Sequence, residues 1–193
     1  MDKRKTGLFF GSFNPVHVGH MILANFMATS TDLREVWMVV SPQNPFKERA
    51  SLARDHDRLH LVELAIGDTP NLKASNVEFS MSKPSYTIDT LAVLRDKHPQ
   101  REFALIMGTD NLASLRKWKN ADIILRDYNI HVYNRPGYPA GELADHERVT
   151  IYDAPLMHLS ATYVRKAIKA GKSVRYLVPE AAAREIEITG LYQ

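Results

Sequence analysis

Apolar residues in this chain occur in two patterns, as short continuous runs and as stretches where they return every three or four positions. A short run suits a strand that is buried on both faces, and the wider spacing suits a helix with one buried face. The runs predict strands over residues 8–10, 35–40, 102–107, 129–134 and 149–152, and a strand pair or one bent strand over 72–79.

Helical spacing follows most of these runs. It predicts helices that begin near residues 17 and 85, that cover 54–66 and 158–170, and that include a short amphipathic segment after Pro179. Strands that alternate with helices imply an α/β fold: a Rossmann-like, doubly wound, mostly parallel sheet with right-handed crossovers. We expect one domain over residues 1–193, with 171–193 as a C-terminal helical extension.

The stretch GSFNPVHVGH, from Gly11 to His20, joins the first predicted strand to the first predicted helix. Gly11 lets the backbone turn sharply and lets a ligand come close, and Pro15 stiffens the loop. His17 and His20 are three residues apart, so they point to one side if both lie in the first helical turn. Free N–H groups at a helix start favour a phosphate there, and two imidazoles can donate hydrogen bonds to its oxygens.

Two other interpretations of this histidine pair are a satisfied surface or capping pair and a metal site. The sequence offers no third ligand of the usual kind near the pair, and the chain has no cysteine. A structural zinc site is therefore not expected.

Composition and charge narrow the class of protein further. The chain has 193 residues, of which 45% are hydrophobic and 24% charged, with a formal net charge of +3. The basic residues are spread along the chain, so composition does not indicate nucleic-acid binding, and small anionic ligands account for the excess equally well. No apolar run is long enough for a membrane span or a signal peptide, and the lack of cysteine fits the cytoplasm.

A second motif lies near the end of the chain, in HLSATYVRKAIKA. Ser160 is suited to cap a helix there, and Arg165 lies one and a half turns further on. An arginine in that position is able to reach back toward phosphate oxygens.

The two motifs together resemble those of the nucleotidyltransferase superfamily that is related in fold to class I aminoacyl-tRNA synthetases. The first matches GxFxPxHxGH, and the second is similar to ISSTxxR, with Leu159 and Ala161 as departures. The resemblance implies catalytic roles for His17, His20, Lys47 and Arg165. It implies an ATP site made by Gly11, Ser12, Phe13, His17, His20, Gly108, Asp110, Ser160, Thr162 and Arg165.

A third segment, SMSKPSYTIDTL, permits two interpretations. Its first half echoes the KMSKS loop of the synthetases, but no length remains for their tRNA-binding domains, so we treat that echo as coincidence. SYTIDTL resembles the segment with which bacterial nicotinate mononucleotide adenylyltransferases recognise the pyridine carboxylate. Ser85 is suited to cap a helix, with the Thr87 hydroxyl and first-turn N–H groups facing the carboxylate; the alternative is a plain helix cap. The substrate residues implied are Asn14, Ser85, Tyr86, Thr87, Thr90 and Trp118.

Several candidate residues keep more than one possible role. Asp110 suits either the ATP ribose or magnesium, and Trp118 suits either stacking on a nicotinate ring or the core. Lys47 lies in a loop with two prolines that follows a predicted strand. There it either pairs with ATP phosphates or stays solvated. Arg58 either reaches the site or lies on the surface.

The resemblance implies transfer of AMP from ATP to nicotinate mononucleotide, which gives deamido-NAD and pyrophosphate, with Mg2+ carried mainly by the ATP phosphates. The expected partners are these small substrates, with no nucleic acid or membrane and with a homo-oligomer left open. The alternatives are another adenylyltransferase, such as one that acts on phosphopantetheine, a cytidylyltransferase, and a nucleotide-binding regulator without turnover. The acid mononucleotide is favoured over the amide because a carboxylate gains more from a helix N-terminus.

Overall fold

One parallel sheet of six strands forms the centre of the molecule. The computed structural model describes residues 4–42 and 52–193. Its strands are β1 (Arg4–Gly11), β2 (Glu35–Val40), β3 (Leu72–Ser75), β4 (Arg101–Gly108), β5 (Asn129–Tyr133) and β6 (Val149–Tyr152). They lie in the order β3-β2-β1-β4-β5-β6, and each neighbouring pair is parallel. This is the order of a doubly wound sheet, so the predicted α/β fold class is confirmed.

Seven α-helices connect or cover the strands in the described part of the chain. They are α1 (Val18–Ser30), α2 (Asp55–Ile66), α3 (Thr87–Lys97), α4 (Thr109–Ser114), α5 (Ala121–Asp127), α6 (Ala161–Lys169) and α7 (Glu180–Thr189). Among the residues that the structure describes, we find no helix with both the length and the apolar character of a membrane span.

Apolar side chains fill both faces of the sheet because successive residues of a strand point to opposite sides. In β1, Leu8 joins a cluster that includes residues of α3, α4 and α5, whereas Phe9 joins a second cluster with residues of α1, α2, α6 and α7. Ala182 and Ile186 of α7 are buried in that second cluster, in which Leu61 of α2 also lies. The C-terminal segment thus shares a core with the rest of the chain.

The structure corrects two local predictions. The predicted strand pair or bent strand over residues 72–79 is instead the short β3 followed by a 3-10 turn over Val77–Ser80. The predicted cap of α3 is also shifted, because the helix begins at Thr87 and its N-cap residue is Tyr86 rather than Ser85.

The strand order creates a crevice at one end of the sheet. β1 and β4 are neighbours, yet β2 and β3 continue the sheet on one side of them, and β5 and β6 continue it on the other. In such sheets, ligands bind at the carboxyl ends of the strands where the order reverses. The loops after β1 and β4 therefore mark the first place to look for a site.

Candidate active site

The loop after β1, residues 11–17 (the histidine loop), turns tightly at the carboxyl edge of the sheet. Phe13 has a positive φ of 42°, and the peptide bond between Asn14 and Pro15 is cis. The Phe13 ring is buried and packs edge-to-face on Phe9, with 5.8 Å between ring centroids. A Cβ atom on Gly11 would lie 2.8 Å from the Phe13 ring, so only glycine fits at this point of the turn.

His17 and His20 come together at the start of α1, as their spacing predicts. His17 is the N-cap residue, and the two rings stack with 3.6 Å between centroids and 22° between planes. The His17 backbone N–H donates to Nδ1 of His20 at 3.2 Å. Because Nδ1 accepts this bond, a neutral His20 carries its proton on Nε2, where it is a hydrogen-bond donor.

His17 is held in the neutral form. Its side chain is buried, with only 4% of its surface exposed, and Nδ1 has no hydrogen-bond partner among the described residues. Burial lowers the pKa of His17 from 6.5 to about 4, because a charged imidazolium loses its hydration there. Near neutral pH this imidazole therefore acts as a neutral hydrogen-bonding group and not as a fixed positive charge.

The second motif packs directly against the first. Ser160 caps α6, as predicted, by accepting a hydrogen bond from the Tyr163 backbone N–H at 3.2 Å. Arg165 of α6 donates to the backbone oxygen of Asn14 at 2.7 Å and lies 3.4 Å from the Thr162 hydroxyl. The structure thus brings together two motifs that are far apart in the sequence.

Arg58 also supports the histidine loop, but from inside the protein. Its side chain is completely buried and donates to the backbone oxygen of Ser12. The surface role that the sequence left open for Arg58 is therefore wrong. Sequence reasoning missed the burial because a helical arginine usually lies in solvent.

The loop after β4 forms the other side of the crevice. Asp110 accepts a hydrogen bond from the Arg135 guanidinium at 2.6 Å, and the Thr109 hydroxyl accepts one from the Arg135 backbone N–H. The second carboxylate oxygen of Asp110 is buried and lacks a partner within the described residues. Gly108 keeps this place open, since a Cβ there would lie 2.6 Å from that oxygen. The sequence analysis did not predict that Asp110 pairs with Arg135. The available signal was that Arg135 follows β5, which ends at the same carboxyl edge of the sheet as β4.

The predicted mononucleotide segment lies at the start of α3. Tyr86 is exposed at the N-cap, and Ser85 and Thr87 are half-buried. Thr90 is completely buried, and its hydroxyl donates to the Glu78 carboxylate at 2.8 Å. Glu78, which sequence reasoning missed, is itself buried beneath this helix start.

Trp118 and its neighbour lie close to this helix start. Trp118 is half-buried and packs against the core cluster that includes residues of α3 and α5. Lys119 bonds to Asp89 of α3 at 2.8 Å and lies 4.9 Å from the centre of the Tyr86 ring. The segment after β4 and the start of α3 therefore form one surface beside the crevice.

Two of the sequence predictions concern Lys47 and the metal ion. Lys47 lies outside the described residues. Within the ranges 4–42 and 52–193, no group of three or more His, Cys, Asp or Glu side chains is arranged to hold a metal ion.

Comparison with known proteins identifies the class first. A family model described as cytidylyltransferase-like matches residues 8–167. A protein of Cytophaga hutchinsonii named "Probable nicotinate-nucleotide adenylyltransferase" is 52% identical over 95% of this chain and 93% of its own length. One of the same name from Flavobacterium psychrophilum is 46% identical over 98% of this chain and 99% of its own length.

A solved structure agrees in fold. The nicotinic acid mononucleotide adenylyltransferase of Plasmodium falciparum, complexed with NaAD, superimposes with a TM-score of 0.82 at 17% identity, over 98% of this chain and 97% of its own. The chain belongs to the nicotinate-nucleotide adenylyltransferase family within the cytidylyltransferase-like proteins. It is thus a nucleotidyltransferase.

Proposed function

We propose that this protein transfers AMP from ATP to nicotinate mononucleotide, a step of NAD biosynthesis. An oxygen of the mononucleotide phosphate attacks the α-phosphorus of ATP and forms the new P–O bond. The bond from that phosphorus to the β-phosphate oxygen breaks, and pyrophosphate leaves with its electron pair. The products are deamido-NAD and pyrophosphate, and no covalent enzyme intermediate is needed because the attacking phosphate is already nucleophilic.

The observation that carries this proposal is the meeting of the two motifs. Arg165 donates to the Asn14 backbone oxygen at 2.7 Å, and Asn14 lies in the loop that leads to the stacked His17 and His20. A guanidinium beside two imidazole donors at a helix start is suited to hold several phosphate oxygens in a fixed geometry. The names of the relatives supply the substrates.

Catalysis here consists of positioning and charge stabilisation. His17 and His20 donate to ATP phosphates, and Arg165, with Lys47 from outside the described residues, neutralises the leaving pyrophosphate. Gly108 lets ATP approach the backbone, and Asp110 accepts from the ribose hydroxyls.

Mg2+ fits the site mainly through the substrate. This ion prefers oxygen ligands and keeps several waters, and phosphate oxygens meet that need. If Asp110 does not bind the ribose, its unpartnered oxygen would be a further hard ligand for the ion at the same edge of the sheet. Bound together with ATP, the ion would supply additional neutralisation of the phosphate charge.

The start of α3 and Trp118 form the proposed mononucleotide site. The first-turn N–H groups of α3 and the Thr87 hydroxyl favour a carboxylate, and Trp118 offers a flat aromatic face to the pyridine ring. Thr90 acts from beneath by fixing the helix start to Glu78. The acid mononucleotide is therefore preferred over the amide, whose neutral group gains less from the helix dipole.

Pyrophosphate release provides the test. The purified protein is given ATP and Mg2+ with nicotinate mononucleotide, nicotinamide mononucleotide or phosphopantetheine, and CTP replaces ATP in a parallel series. The His20→Ala variant, purified in the same way, controls for contaminating activity. We expect rapid release with ATP and the acid mononucleotide, and much slower release with the other combinations.

Each other outcome has a distinct meaning. Release with the amide at the same rate would refute the carboxylate site at α3 but keep the reaction class. Release only with phosphopantetheine or only with CTP would replace the substrate assignment. Binding of ATP without release under any condition would favour a nucleotide-binding regulator.

The remaining parts of the proposal concern the chain as a whole. The core shared by α2 and α7 supports a single catalytic domain in which residues 171–193 are an extension. The proposed partners are the two small substrates, and the proposed compartment is the cytoplasm.

A further inference from the structure

Arg58 is a completely buried cation whose hydrogen-bonding capacity is fully used. It makes five hydrogen bonds, and a guanidinium has five N–H donors. Four acceptors are backbone oxygens, namely those of Ser12, Ser41, Pro42 and Ala53, and the fifth is the Asp55 carboxylate at 2.8 Å. A buried guanidinium needs an acceptor for each donor, since an unpaired buried N–H costs free energy. The feature that bears on the site is where these acceptors lie.

The four backbone acceptors belong to three separate segments. Ser12 is in the histidine loop, Ser41 and Pro42 follow β2, and Ala53 precedes α2. A further contact ties the same segments, since the Asn14 side-chain oxygen accepts from the Ala53 backbone N–H at 3.1 Å. One rigid planar group thus sets the distance between the loops at the ends of β1 and β2.

The guanidinium also connects, through Asp55, to the segment before α3. One Asp55 oxygen accepts from Arg58, and the other accepts from Lys83 at 2.9 Å. Lys83 lies two residues before Ser85, where the proposed mononucleotide site begins. The lysine and arginine partners hold the pKa of Asp55 below its usual value against the opposing effect of burial, so this link is ionic at neutral pH.

We infer that Arg58 is a positioning residue for adenylyl transfer. Its buried guanidinium holds the histidine loop in the conformation that places His17 and His20 at the phosphates, and it does not touch the substrates itself. The kinetic test of this role rests on the proposed function, whereas the conformation of the histidine loop can be tested in the protein without substrate. A displacement of catalytic groups by about 1 Å is enough to lower a rate by roughly a hundredfold.

The test compares Arg58→Lys with a matched control, Arg101→Lys. Lysine keeps the charge at position 58 but has only three donors on one nitrogen, so it is unable to bridge the same acceptors. Arg101 also makes side-chain bonds in the protein, to Thr6 and Glu35 at 2.9 Å each, but at the start of β4, on the opposite edge of the sheet. Both substitutions therefore remove a supporting guanidinium, and only one removes it from the histidine loop.

We expect kcat to fall about tenfold to a hundredfold in Arg58→Lys and to stay within about twofold of wild type in Arg101→Lys. Both variants are assayed well below their melting temperatures, and each rate is divided by the concentration of folded protein. A merely structural role for Arg58 predicts two destabilised proteins with unchanged kcat, and that result would overturn the inference. If Arg58→Lys does not fold, Asp55→Asn replaces it. A several-fold loss of kcat then supports the inference, and an unchanged kcat overturns it.

A second readout separates this inference from the substrate assignment. The imidazole signals of His17 and His20 are followed by NMR in the protein without substrate, after assignment with single histidine variants. We expect them to shift in Arg58→Lys and not in Arg101→Lys, whatever the mononucleotide is. Unchanged signals in Arg58→Lys would overturn the inference even if nicotinate mononucleotide proves to be the substrate.

Discussion

The burial of His17 predicts a specific dependence of stability on pH. The folded protein keeps this imidazole neutral down to about pH 4, whereas the unfolded chain protonates it near pH 6.5. Between these values the unfolded state binds more protons, so the free energy of unfolding rises with pH in this window and falls on acidification. One pKa unit corresponds to about 1.36 kcal/mol, so the full shift is worth about 3 kcal/mol, of which about 2 kcal/mol is lost by pH 5.

The His17→Gln variant isolates this contribution. Glutamine is neutral at every pH and retains a hydrogen-bonding side chain, and all other titrating groups are common to both proteins. Urea unfolding at pH 7.5 and at pH 5 gives two free energies for each protein. We expect wild type to lose about 2 kcal/mol more than the variant between these conditions. An equal loss in both proteins would refute the buried, neutral state of His17.

Three further substitutions test the crevice. His20→Ala should lower kcat on the order of a hundredfold, by analogy with the loss of one hydrogen-bond donor to a transition state, and should change the melting temperature little. An unchanged kcat would remove His20 from the catalytic set. Gly11→Ala should lower the free energy of unfolding by about 1–3 kcal/mol in urea, because its Cβ would meet the buried Phe13 ring at 2.8 Å. Gly108→Ala should raise KM for ATP about tenfold, because the new methyl group would displace Asp110. Steady-state kinetics that show no change in KM would count against a contact between Asp110 and the ATP ribose.

Much of the fold was predictable because its signals are local. Four of the six strands coincide closely with apolar runs, and β1 begins four residues before its run. The cap of α6 follows from Ser160 and its spacing to the helix. The histidine pair was placed correctly because the geometry of one helical turn fixes residues three apart. The prediction over residues 72–79 was less accurate, since a short apolar stretch before polar residues fits a turn as well as a strand. The cap of α3 was predicted one residue too early.

The site depends on contacts that the sequence does not reveal. Arg58 reads as an ordinary helical arginine until the acceptors on the loops after β1 and β2 are seen around it. The Asp110 pair with Arg135 and the Thr90 bond to Glu78 likewise join segments that meet only in the folded chain. In each case a polar side chain is suited to water or to an internal partner, and its own neighbours in the sequence do not decide between them.

The class of fold, the two motifs and the residue types available to hold phosphates could thus be predicted from the order of the residues alone. These follow from periodicity, from helix capping and from spacing within one turn, all of which act over a few residues. The contact between the two motifs, the neutral state of His17 and the burial of Arg58 arise only in the folded chain. Burial and hydrogen-bond partners depend on the order of the strands, because that order brings distant segments to one edge of the sheet.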